Sequence, residues 1–126
     1  MSVPDFQTIM LPFLKVISDS KEHRHRDTID TLAERFKLTE ADLKIKLPSG
    51  RQSLFNNRVG WARTYLMKAG LIEYTRRGYC RITSRGLDVI AEKPEKINIS
   101  FLKRHPEFIE FHVAKTSDGG QSEEQL

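Results

Sequence analysis

A chain of 126 residues, 38% of them hydrophobic and 30% charged, is sized for one modest core beneath a heavily ionised surface. No apolar run approaches the roughly 18 residues that a membrane-spanning helix needs, Met1 to Asp5 lack the character of a secretory leader, and the one cysteine, Cys80, can neither close an internal disulfide nor complete a thiolate metal centre; a cytoplasmic location with no membrane partner is expected. The net charge of +4 is uneven: between Arg51 and Arg85 eight cations face Glu73 alone, which makes that window +7 and leaves −3 for the rest, the distribution of a polyanion binder.

Pro4 suits the start of a first helix, and Phe6, Ile9, Met10, Phe13, Leu14 and Ile17 recur at helical spacing after it. Asp19 to Glu22 interrupt the pattern, His23 to Arg26 read as the approach to a second helix, and Ile29, Leu32, Ala33 and Phe36 form its apolar face. Thr39 followed by Asp42 predicts a capping box for a short helix running through Lys46, which Leu47-Pro48-Ser49-Gly50 ends. A long helix is predicted over about Gln52 to Ala69. Phe55, Val59, Ala62, Leu66 and Ala69 fall on one stripe of it, while Asn56, Asn57, Gly60, Thr64 and Lys68 lie opposite, with Trp61 and Arg63 on the flanks. Gly70 caps it; Leu71 to Tyr74 and Tyr79 to Ile82 then read as the strands of a hairpin whose turn, Thr75-Arg76-Arg77-Gly78, carries two arginines at its tip. Thr83 caps a further helix to about Glu92, and two short apolar pieces follow, one from Ile97 to Leu102 and one containing Phe108, Ile109 and Phe111.

The predicted fold class is mainly α with a small antiparallel β hairpin: a winged helix-turn-helix with a C-terminal helical extension. Residues 1–93 form the winged helix in this scheme, 94–114 an extension that packs on the domain or on a dimer partner, and 115–126 a flexible tail or the start of a linker. A helix with one face committed to the core and the other free, followed at once by a basic hairpin, offers one element to the major groove and one to phosphates or the minor groove. Double-stranded DNA is therefore the expected partner, with Arg51, Gln52, Asn56, Asn57, Arg63, Arg76, Arg77 and Arg81 as candidate contacts. Arg58, Gly60 and Trp61 are open between a structural and a DNA-contacting role; for Arg58 the structural alternative is an ion pair with a carboxylate on another helix. The alternative for the whole chain is a winged-helix module for protein interaction or dimerisation.

No catalytic residue, metal site or cofactor is expected. Pro4-Asp5 and Asp42-Leu43-Lys44 spell the halves of a divalent-metal nuclease motif, but both sit on predicted helices rather than adjacent strands. His23 and His25, with Glu22 or Asp27 nearby, lack the further ligands zinc requires, and Cys80 reads as a small core residue.

Ser49-Gly50-Arg51-Gln52, Asn57-Arg58-Val59-Gly60-Trp61-Ala62-Arg63, Lys68-Ala69-Gly70-Leu71, Arg77-Gly78, Ile82-Thr83 and Gly86 together resemble the N-terminal domain of the Mrr family of bacterial restriction systems. Val3-Pro4-Asp5-Phe6, Pro94 to Asn98 and Pro106-Glu107-Phe108 extend the likeness to about Val113. The resemblance implies modification-dependent restriction, in which an N-terminal winged helix binds DNA and a separate C-terminal nuclease domain cleaves when bases are methylated. That nuclease has no counterpart in this sequence, so the resemblance implies the DNA-binding part alone, either as a piece of a restriction endonuclease or as a stand-alone relative.

Overall fold

The computed structural model describes residues 3–117, with side chains up to Ala114. Helix α1 (Phe6–Val16) begins where the Asp5 carboxylate accepts from the Thr8 N–H at 2.7 Å, and it sinks Phe6, Ile9, Met10, Phe13 and Leu14 into the core. A two-residue strand β1 (His23–Arg24) leads into α2 (His25–Arg35), and α3 (Glu40–Lys44) carries the capping box that Thr39 and Asp42 predict. Helix α4 (Leu54–Lys68) is capped by Ser53, whose hydroxyl accepts from the Asn56 N–H. Strands β2 (Ile72–Arg76) and β3 (Tyr79–Ile82) follow, then α5 (Ser84–Ala91), α6 (Ile99–Leu102) and α7 (Pro106–Ser117).

The molecule is thus mainly α with a small antiparallel sheet. Packing centres on α1 against α4, where Phe55, Val59, Ala62, Tyr65 and Leu66 meet the α1 stripe. Phe55 is wholly buried and edge-on to Phe36 of the α2 end, so truncating it to alanine costs about 3–5 kcal/mol from lost transfer energy and the cavity left behind. Tyr65 is the hinge between the helices and the C-terminal pieces: its ring lies 4.9 Å from Phe6 and 5.6 Å from both Phe108 and Phe111 of α7. Ile97, Leu102 and Phe108 are buried in the same core as α1 and α4, so the extension lies on this domain. Of the tail expected over 115–126, the part to Ser117 continues α7 and the remainder lies outside the described residues.

The sheet has the order β1-β3-β2, one strand more than the predicted hairpin. His23 pairs with Cys80 and Arg24 with Tyr79, so the stretch read as a simple approach to α2 is a strand. The Gly78 carbonyl then accepts from the His25 N–H at 2.8 Å, which ties the hairpin turn to the first residue of α2. The turn is also tighter than predicted. An irregularity between Tyr74 and Arg76 carries β2 on to Arg76, leaving Arg77 and Gly78 as the tip. The short helix stops at Lys44 instead of Lys46, because Lys46 is drawn into a bridge with Ser53 that aligns the start of α4. Gly86 shows what a packing glycine looks like here: a Cβ would overlap the Leu71 carbonyl oxygen and crowd Ile82, so α5 can approach the sheet only without a side chain at that position.

Candidate nucleic-acid interface

The apolar stripe of α4 is buried as the sequence implies, which turns Asn56, Asn57, Gly60 and Thr64 outward as a partly exposed, uncharged face, with the exposed Lys68 of the same face at the C-terminal end of the helix. Asn57 Nδ2 donates to Gln52 Oε1 at 3.4 Å, so the loop residue Gln52 lies alongside the first turn; Asn57 Oδ1 is shielded from solvent and has no hydrogen-bond partner among the described residues. Asn56 looks sideways, into a groove of about 470 Å³ between α2, α3 and α4 that His25, Arg26, Leu43 and Ser53 also line. Trp61 packs against the core, edge-on to Tyr65 with ring centres 6.2 Å apart.

The cations of the +7 window divide into two sets. Arg58 donates from Nη1 to the Val3 and Pro4 carbonyl oxygens, both at 3.2 Å, and so anchors the N-terminal segment to α4; the partner is backbone, where the ion-pair alternative expected a carboxylate. Arg63 is half-buried with its guanidinium 4.1 Å above the Tyr74 ring, joining α4 to the hairpin. Arg85 donates to the Ala69 carbonyl at 2.9 Å and to Glu107 at 2.8 Å, and Lys68 sits over the Phe111 ring. Arg76 pairs with Glu22 at 3.0 Å while lying 3.8 Å over the Tyr79 ring, and Arg81 pairs with Glu73 across the hairpin at 3.1 Å. Arg51 and Arg77 are exposed and have no side-chain partner among the described residues.

Two further exposed cations near this face, outside residues 51–85, have no side-chain partner among the described residues. Arg26, in the first turn of α2, shares the groove with Asn56, and Lys46 is bridged through its backbone to the α4 cap. The alternation His23-Arg24-His25-Arg26 is the sequence signal for Arg26, and it is weak; it says nothing of Lys46. Arg26, Lys46, Arg51 and Arg77 all belong to the N-terminal end of α4 or to segments tied to it: the groove, the bridge to Ser53, the loop before the cap, and the turn bonded to His25.

His25 sits where these segments meet. Burial, with the nearby Arg63 charge adding to it, pushes its pKa down to about 4, so the ring is neutral at physiological pH. Its Nδ1 is buried without a partner among the described residues. Burial pushes the Cys80 thiol up, as suits a core position. The nuclease-like fragments have local roles: Asp5 caps α1 and Asp42 completes the α3 capping box. His23 Nε2 is 2.7 Å from Asp19 Oδ1, and no group of three His, Cys, Asp or Glu side chains among the described residues is arranged to hold a metal ion. Nor is any described helix long and apolar enough to cross a membrane.

Comparison with known proteins adds a family. The model of the Mrr N-terminal domain matches residues 6–92, more than half of the chain. The type IV methyl-directed restriction enzyme EcoKMrr of Escherichia coli (strain K12) is 30% identical over 96 residues, a stretch that covers 75% of this chain and 31% of that enzyme. The chain thus spans about a third of the relative's length. No solved structure matches it.

Proposed function

The chain belongs to the Mrr N-terminal domain family, and from that premise we propose that it is a winged helix-turn-helix module that binds double-stranded DNA without cleaving it. In this reading α2, α3 and α4 form the helix-turn-helix and β2–β3 the wing. The observation that carries it is the arrangement around the start of α4: a neutral amide-bearing face framed by four exposed cations, Arg26, Lys46, Arg51 and Arg77, that have no side-chain partner among the described residues. Carboxamides on a helix pair with base edges in the major groove, and the surrounding cations engage phosphates that fix the helix's register. Arg76 and Arg81 join them when phosphate displaces Glu22 and Glu73. Exposed pairs of this kind are weakly held in water, so the exchange costs little.

The named relative is a methyl-directed restriction enzyme of which this chain covers 31%. Cleavage and methyl dependence accordingly belong, in this proposal, to a full-length protein in which the present module delivers DNA to a separate nuclease domain.

Measuring duplex affinity against salt tests the proposal. Six phosphate contacts, the four cations with Arg76 and Arg81, give a log–log slope of roughly −5 and a loss of about a thousandfold between 50 and 200 mM salt. Affinity that is flat across this range, or absent at 50 mM, would point instead to a protein-docking module.

A further inference from the structure

Gly60 is a glycine that the fold does not use. It lies in the middle of α4 with ordinary helical backbone, and a Cβ built on it meets nothing within 4 Å. Gly86, by contrast, is required by the Leu71 carbonyl and Ile82. Glycine inside a helix is destabilising relative to alanine, since it loses more backbone freedom on folding, so the position carries a stability cost with no internal return. The missing side chain leaves a notch on the outer face, with Asn56 and Asn57 one turn before it and Arg63 and Thr64 one turn after. Asn57 is partly exposed at this edge, with its Nδ2 donating to Gln52 Oε1 at 3.4 Å. The Arg63 guanidinium is turned onto Tyr74, which leaves the side chains at the notch uncharged.

We infer that Gly60 is the point of closest approach between α4 and DNA, and that the notch seats the major-groove edge of a base pair between Asn57 and Thr64. This rests on the DNA-binding reading and sharpens it. A helix with its side chains, about 10–12 Å across, fills a major groove about 12 Å wide, so omitting one side chain on the leading face decides how deep the helix sits. The chemistry selects a base edge over a phosphate: the lining offers amide and hydroxyl groups, which match the donors and acceptors of base edges, and no free cation.

The test compares Gly60→Ala and Gly60→Met with Ala91→Met, which places the same final side chain at an exposed position of α5. Thermal unfolding and duplex binding at 50 mM salt are measured for each. Both Gly60 variants are expected to keep the fold, the alanine raising Tm by about 4 °C. Duplex affinity is expected to fall several-fold in Gly60→Ala and at least tenfold in Gly60→Met, with Ala91→Met unchanged. If the wild-type chain binds duplex and folded Gly60→Met binds equally well, the inference is overturned and the DNA reading stands. If either Gly60 variant lowers Tm, the fold does use the glycine and the inference is likewise overturned. If the wild-type chain binds no duplex at 50 mM salt, the DNA reading falls and takes the inference with it.

Discussion

On the hairpin, arginines sit in solvent-accessible pairs, Arg76 with Glu22 and Arg81 with Glu73, and Arg77 at the tip has no side-chain partner among the described residues. On α4 the two arginines are built into the fold, Arg58 through two carbonyl oxygens of the N-terminal segment and Arg63 through the Tyr74 ring. The same residue type in the same basic window thus does two jobs. Exposed, loosely paired cations are available to phosphate at little cost, whereas half-buried ones hold elements together and leave the outward face of α4 from Asn56 to Thr64 uncharged, with Lys68 beyond it at the C-terminal end. A helix that is to read bases gains from this division, because a strong positive field along it would favour any backbone over any sequence.

The comparison breaks most sharply at Arg58. Replacing it with alanine removes charge-assisted hydrogen bonds to Val3 and Pro4 and is expected to lower unfolding free energy by about 1.5–3 kcal/mol in urea titrations. Duplex affinity of the folded variant should stay near that of the parent. A stable Arg58→Ala protein that has lost DNA binding would move Arg58 to the interface.

Next in size is a pH effect through His25, which tests the burial of the ring first and the nearby Arg63 charge second. The folded pKa of about 4 lies below the unfolded value of about 6.5, so the unfolded chain takes up a proton first. Stability from the neutral ring is therefore complete above pH 6.5 and drains away as pH falls towards 4. The loss should be roughly 1–2 kcal/mol, less than the full shift implies because the ring is partly in solvent. His25→Gln should flatten stability over that window. An ordinary His25 titration near 6.5 in nuclear magnetic resonance spectra would show that Arg63 and the burial around it are not as described.

The smallest effect on the fold and the most selective on binding belongs to Arg51 and Arg77. Each alanine substitution should leave stability within about 0.5 kcal/mol and flatten the salt slope by about one unit, and the double variant by about two. Equal slopes in parent and double variant would mean that neither cation meets a phosphate.

Much of this was legible in the sequence where the signal is local. The capping box at Thr39 and Asp42, the two faces of α4 and the hairpin after Gly70 each follow from spacing within one or two turns. Strand β1 was not, because two residues cannot display an alternation, and its pairing with β3 joins His23 to Cys80 across the chain. The fates of the arginines were legible least of all. Nothing near Arg76 announces Glu22, and the carbonyls that hold Arg58 are backbone atoms, invisible to any pattern of side chains. Charge counted along the sequence therefore does not separate cations held within the fold from exposed ones, and it passes over Arg26 and Lys46, which lie outside the window and are brought to α4 by the groove and the bridge to Ser53.

The most direct measurement of whether this end of α4 is the DNA surface is a residue-by-residue map of backbone amide shifts on adding a short duplex. The account predicts perturbations concentrated at Arg26, Lys46, Arg51 to Thr64 and Arg76 to Gly78, with α5 to α7 unaffected. Perturbations centred on α7, with α4 and the hairpin silent, would contradict it.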